Sequence, residues 1–327
     1  MKRAALLSVL LLVVGACSPS DTSAPTTVET RLTTTSSSST TIAPTTTVEA
    51  TVGFPVTVEA DNGTVAIEDR PEAVVSLSST ATEMLFAVGA GPQVVAVDDQ
   101  SSYPAEAPIT DLSGFTPNLE AILSYAPDLV VIAFDPGDLV AGLDAAGVPV
   151  LSFGAALTID DVYRQLEVLG IATGNHEGAS ETSVGIQEDL ASIVADAEGL
   201  GEGVSFYHEI DALLYTVTSS TFFGAIYGLF GMENIADPAD EDNAAFGYPQ
   251  LSGEYVVASD PDIIFLANTL YGESAETVSE RPGWEVMTAV GNGDIVELDS
   301  DIASRWGPRI VDFAQAVADA LRGYRQG

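Results

Sequence analysis

Two glutamates stand in matched settings. Glu120 lies seven residues before Pro127-Asp128, which opens the apolar run LVVIAF, and Glu254 lies seven residues before Pro261-Asp262, which opens IIFLAN. With helical geometry between glutamate and Pro-Asp, each carboxylate falls in the first turn of a short helix, where the helix dipole favours negative charge. Singly, each is a helix-start glutamate. As a pair on a repeated helix-turn-strand unit they call for a functional reading. The chain has two histidines. His208 ends the run VSFYH and is followed by Glu209 and Asp211, so it could face a cleft as a metal or haem ligand. A bare-metal site needs several more converging ligands, so solvation at the strand edge is the expected state and no metal site is expected. His176 is placed at the surface. The single cysteine, Cys17, has no partner for an internal disulfide, a redox pair or a thiolate metal site.

Catalysis finds no support in the motifs. There is no Gly-x-Ser-x-Gly elbow, Lys2 is the only lysine available to a phosphate loop, and GNGDIV and GAGPQV lack the third glycine of a dinucleotide loop. No catalytic residue and no cofactor are expected. The 327 residues carry 10 basic and 48 acidic side chains, a formal charge of −38. Without Lys2 and Arg3 the balance is 8 against 48, near −40. Phosphate binding needs a basic footprint, so a nucleic-acid partner is excluded. The acids are scattered and read as a solvated surface.

The N-terminus explains the cysteine. Lys2 and Arg3 precede an apolar run from Ala4 to Val14, too short to span a bilayer as a mature helix but suited to a signal peptide over residues 1–16. The stretch Val-Gly-Ala-Cys resembles a bacterial lipobox, in which the thiol takes a diacylglyceryl group and the cysteine becomes the new N-terminus. Cys17 is therefore expected to be a lipid anchor, placing the protein outside the cytoplasmic membrane. Residues 17–53 are dominated by Ser, Thr, Pro and Ala and read as a flexible tether.

The body must position the glutamates. VTVEADNGTVAIED alternates around Asn62-Gly63, the signal of a hairpin with a type I′ turn. AVVSL, QVVAVD, DLVVIAF and PVLSF read as buried strands. STATEMLFAVGAG reads as a helix with a Thr80-to-Glu83 capping box, and further helices begin near Pro117, Leu139 and Ile159. From Asn175 to about Glu198 the apolar positions Val184, Ile186, Leu190, Ile193, Val194 and Ala197 form a helical stripe of about 36 Å. Strand-helix alternation then resumes with VSFYHEI, ALLYTV, a helix from Thr221 to Phe230, DIIFLAN, DIVELD and a final helix from about Pro308 to Tyr324. The expected class is α/β: an N-terminal lobe at 54–174, a connecting helix at 175–199 and a C-terminal lobe at 200–327.

In order along the chain, VVSLSSTATEMLFAVGAG, SSYPAEA, NLEAILSYAPDLVV, GYPQLSGEYVVASDPDIIFL, RPGWEVMTAVGNGDIVELD and SRWGPRIVDF resemble the extracytoplasmic substrate-binding proteins of ABC importers for metal chelates, the class III periplasmic binding proteins. The resemblance runs from about Val56 to the C-terminus and implies two Rossmann-like α/β lobes joined by one long helix, with the ligand in the cleft between them. It implies that Glu120 and Glu254 meet arginines of a permease dimer, one from each lobe. It places Phe115, Phe134, Tyr248 and Trp306 near the ligand, with Arg305 as the charged contact and Arg309 in a structural ion pair. The aromatic faces suit a corrin, porphyrin or catecholate ring. Ferric siderophore and cobalamin are the leading ligands, and the few arginines argue against a highly charged catecholate chelate. Alternatives are a free zinc or manganese ion, haem, and a sensor or scavenger of the same fold without a transporter.

Overall fold

The computed structural model describes residues 53–326, which fall within one compact unit of the chain. The expected signal peptide, Cys17 and nearly all of the tether lie outside the described residues. The first elements are an antiparallel hairpin, β1 (Val56–Ala60) and β2 (Gly63–Ile67). Ala60 pairs with Gly63, so the turn residues are Asp61 and Asn62, one position earlier than expected, and only Gly63 has positive φ. The reason is tertiary. The Asn62 side chain brackets the Val150 carbonyl and the Ser152 amide at 3.0 Å each, and Asp61 accepts from the Gly154 amide at 2.7 Å. The turn is shaped to cap a sheet.

That sheet has five parallel strands, β3 (Val74–Leu77), β4 (Val94–Asp98), β5 (Ile109–Leu112), β6 (Leu129–Ile132) and β7 (Val150–Ser152), in the order β5-β4-β3-β6-β7. β3 and β6 are buried at every residue, as continuous apolar strands covered on both faces must be. β5, with the sequence ITDL, lacks that apolar signal and is a half-exposed edge strand. The helices are α1 (Ser79–Ala87), α2 (Leu119–Leu123), α3 (Leu139–Ala145) and α4 (Ile159–Thr173). α1 starts earlier than the capping-box reading: Ser78 is the N-cap and accepts from the Ala81 amide, while Glu83 turns into the core.

The long helix is α5 (His176–Asp196), with Asn175 at its N-cap position. The Asn175 amide group is turned away to Gln93 and Thr173 instead of capping. Ile186 and Leu190 face the core as expected, whereas Val184 is exposed. Gly178 lets α5 lie directly on the end of α1, since a Cβ there would collide with the Val88 carbonyl.

A second parallel sheet follows, β8 (Ser205–Glu209), β9 (Glu233–Asn234), β10 (Ile263–Leu266) and β11 (Ile295–Glu297), in the order β11-β10-β8-β9. Its helices are α6 (Phe222–Gly228), α7 (Gly253–Ser259), α8 (Ala275–Ser279), α9 (Thr288–Asn292) and α10 (Ile310–Gln326). ALLYTV does not form the expected strand. Leu214 has φ 67° and the Asp211 carboxylate draws in the Leu213 and Tyr215 amides, so only a single bridge to Gln250 forms. The result is two α/β lobes joined by one long helix.

The repeat read from the sequence is also structural. Asp128 receives the Glu72 and Ala73 amides ahead of β3, and Asp262 receives the Ser205 amide at the start of β8. One residue before each proline, Ala126 and Asp260 both take the left-handed conformation, with φ 50° and 44°. Each Pro-Asp thus pins one parallel strand to its neighbour in its own lobe.

Glu83 ties the lobes together. Its side chain is 1 % exposed, and it accepts from Arg305 Nη1 at 2.9 Å and from Arg309 Nε and Nη2 at 2.9 and 2.6 Å. Both arginines come from the segment between β11 and α10. The hydrogen bonds to Glu83 raise the Arg309 pKa against the opposing effect of burial. Removing one partner of a buried pair leaves an uncompensated charge. Glu83→Gln is expected to lower the unfolding free energy by about 3–5 kcal/mol, whereas Asp319→Asn, which breaks the exposed Arg322 pair, is expected to cost under about 1 kcal/mol. Guanidinium unfolding of both variants checks the contrast.

Candidate functional site

The carboxyl ends of the parallel strands of both sheets converge on one cleft of about 590 Å³, the position where α/β sheets present ligand sites. From the first lobe the wall is made by the start of α1, the end of β4 at Asp98 and the loops after β5, β6 and β7. From the second it is made by the end of β8, the start of α6, the loop before α7, the turn after β10 and residues 300–306. Gly114 is required where the loop after β5 turns in, because a Cβ would stand 2.6 Å from the Leu77 carbonyl and 2.9 Å from Asp98 Oδ2.

All five residues expected near a ligand line this cleft: Phe115, Phe134, Tyr248, Arg305 and Trp306. Phe115 and Phe134 are exposed and meet at 5.7 Å between ring centroids with a 46° tilt. Tyr248 faces them from the second lobe, with its phenol pKa raised by burial. Trp306 is half-buried, its indole N–H donating to Gln165 on α4 at 3.2 Å.

Arg305 departs from expectation. Its guanidinium is not an open fork: Nη1 donates to Glu83, and Nη2 donates to the Gln100 carbonyl at 3.0 Å and to Asp301 at 2.9 Å. The same holds beyond the cleft. Every arginine among the described residues is hydrogen-bonded to, or for Arg164 ion-paired at 3.6–3.8 Å with, a carboxylate or a carbonyl of the protein, in a chain whose acids outnumber its bases 48 to 10. The strongest case is Arg281, whose pKa burial would lower but which Glu209 and Glu273 raise well above the ordinary value.

The cleft holds polar groups that sequence reasoning missed. Asp98 is buried, accepts from the Ser101 hydroxyl at 2.6 Å and titrates above the ordinary aspartate value because burial disfavours its charge. His208, expected at a solvated strand edge, is instead 1 % exposed and lines the cleft. β8 lies between β10 and β9, covered on both faces, so alternation along SFYHE left no solvent side for it. Burial drops the His208 pKa to about 3. Among the described residues no group of three or more His, Cys, Asp or Glu is placed to hold a bare ion.

Glu120 and Glu254 both sit at the second position of their helices, α2 and α7, and both are exposed. Asn118 and Ser252 cap those helices through the Ala121 and Tyr255 amides, so the two carboxylates are presented alike, outside the cleft.

The buried imidazole has a consequence for stability. A histidine whose folded pKa is depressed stays neutral while the unfolded chain takes up a proton, so this contribution is present above about pH 6.5 and is lost as pH falls toward 3. Between pH 7 and pH 5 wild type is expected to lose about 2 kcal/mol more than His208→Gln does over the same interval, measured as the difference in denaturant-derived stability at the two pH values.

Comparison with known proteins gives a consistent result. The periplasmic binding protein family model matches residues 74–302. The chain is 30% identical over 278 residues to an uncharacterized ABC transporter substrate-binding lipoprotein of Bacillus subtilis, covering 82% of this chain and 86% of that one. It is 32% identical over 280 residues to a cobalamin-binding protein of Halobacterium salinarum, covering 82% and 74%. The crystal structure of a periplasmic vitamin B12-binding protein of Vibrio cholerae superposes with a TM-score of 0.63 at 23% identity, over 79% of this chain and 99% of that one, a likeness of fold. With its two lobes, long joining helix and cleft at the strand ends, the chain belongs to the periplasmic binding protein family, whose members bind their ligands and are not enzymes.

Proposed function

We propose that this protein is the substrate-binding component of an ABC importer and that its ligand is a cobalamin-type chelate without net negative charge. One observation carries the ligand class: among the described residues the cleft offers aromatic faces from both lobes but no unpaired guanidinium. An anionic chelate entering it would face Asp98 and Asp301 with no uncommitted cation to receive it. Aromatic rings and hydroxyl groups are sufficient for a neutral macrocycle with polar edges. The cobalamin- and vitamin B12-binding relatives support the same ligand.

Delivery follows from the paired carboxylates. Glu120 and Glu254, one on each lobe and identically presented, are proposed to meet arginines of the permease, so that their spacing reports the ligand-bound arrangement of the lobes. Cys17 is proposed to carry the lipid that holds the protein at the outer face of the cell membrane, with the cleft held away from it by residues 17–53.

Titration calorimetry of the purified protein with cyanocobalamin is expected to give one site with Kd below about 1 μM. Haem and a ferric catecholate are expected to bind at least about 100-fold more weakly; tighter binding of either anion sinks the ligand assignment. The Glu120→Ala, Glu254→Ala double variant is expected to abolish uptake of labelled cyanocobalamin by cells while leaving its Kd unchanged. Normal uptake by that variant removes the docking role.

A further inference from the structure

The innermost wall of the cleft holds one imidazole. His208 is enclosed by rings: Phe223 stacks beside it at 6.3 Å between centroids, and Tyr227 and Phe313 meet it edge-on at 5.8 and 6.4 Å. Among the described residues one polar protein atom bonds it, the Tyr227 hydroxyl, 2.8 Å from Nδ1. Among the described residues the second ring nitrogen, Nε2, has no protein partner, although the residue lines the cavity.

The tautomer follows from the tyrosine. Tyr227 is fully buried, and among the described residues its hydroxyl has no other hydrogen-bond partner. A buried hydroxyl that fails to donate carries its whole desolvation penalty, so the Tyr227 hydrogen is directed at Nδ1. Nδ1 is then the acceptor, and the ring hydrogen resides on Nε2. The imidazole is a donor at the one nitrogen left for a ligand, not a lone pair available to a metal.

We propose that His208 is a specificity contact of the bound ligand, donating from Nε2–H to an uncharged carbonyl oxygen of carboxamide type, with Tyr227 as the positioning residue that fixes the tautomer. The assignment rests on the reading of this cleft as the chelate site. The acceptor is uncharged because Asp98 and Asp301 line the same cavity and the nearby guanidiniums of Arg305 and Arg309 are held by Glu83. A corrinoid, whose rim carries several carboxamides, presents such oxygens. A porphyrin with carboxylate arms presents charged ones, which this surrounding disfavours.

Two measurements on the full chain test the contact. With 15N-labelled histidine only two imidazoles report, His176 and His208, and long-range proton–nitrogen correlation of the unliganded protein is expected to show His208 with its hydrogen on Nε2. Tyr227→Phe, which leaves the cavity lining in place, is expected to mix the two tautomers. In calorimetry with cyanocobalamin, His208→Phe is expected to weaken Kd about tenfold, His208→Gln to restore it to within about threefold, and Tyr227→Phe to weaken it about threefold. Thermal midpoints establish that each variant is folded.

A wild-type ring protonated on Nδ1, or equal affinity of wild type and folded His208→Phe, overturns the proposal. So does a change in the corrinoid absorption bands on binding that disappears in His208→Phe, since that would make Nε2 a cobalt ligand. If the wild-type chain binds neither cyanocobalamin nor a ferric hydroxamate, the chelate reading itself fails. The tautomer measurement, made without ligand, still decides the part assigned to Tyr227.

Discussion

One buried carboxylate carries much of the architecture. Glu83 sits on the first helix of the first lobe and holds Arg305 and Arg309 from the far end of the chain. Two guanidiniums on one carboxylate leave excess positive charge in a poorly solvated place, and Asp301, bonded to Arg305 at 2.9 Å, offsets part of it. The cluster fixes where the segment before α10 lies against the first lobe. It therefore sets one wall of the cleft, including Trp306 and Asp301. The Gln100 carbonyl and the Ser102 hydroxyl add further bonds across the same boundary.

The same scarcity of cations shapes the chemistry of the cleft. In a chain with 10 basic residues, each described arginine is held by an internal carboxylate or carbonyl. The cleft is left with aromatic faces, hydroxyls, a buried aspartate and a neutral histidine. Such a surface recognises shape and neutral polarity, and its net negative field works against anions. Acidity that reads in the sequence as a solvated coat thus reaches the ligand site by a different route, by taking up the few cations that could have answered a charged ligand.

The joint between the lobes is stiff for a related reason. α5 contains no proline, is packed against α4 and α10, and touches the end of α1 at Gly178. A continuous helix resists bending far more than a loop, a joint that favours small displacements of one lobe against the other over wide hinge closure. Glu120 and Glu254 are carried by equivalent short helices, one per lobe.

The sequence by itself determined the parts that depend on local pattern and repetition. Continuous apolar runs gave the buried parallel strands, the absence of proline over 176–196 gave the long helix, and the spacing of Glu120 and Glu254 from their Pro-Asp pairs gave two equivalent first-turn carboxylates. The resemblance pointed to the aromatic residues of the cleft wall. Only the tertiary structure decided the polar groups. Glu83 reads locally as the end of a capping box but is drawn inward by two arginines more than 220 residues away. Arg305 is expected as the charged ligand contact but is already bonded within the protein, Asn62 turns outward to cap a sheet, and His208 lies in a strand covered on both faces. The physical reason is common to the three buried groups, Glu83, Arg305 and His208, while Asn62 is exposed and is held by its bonds to β7. Apolar burial follows from periodicity along the chain, whereas the state of a buried polar group is set by partners distant in sequence that replace the water it has lost.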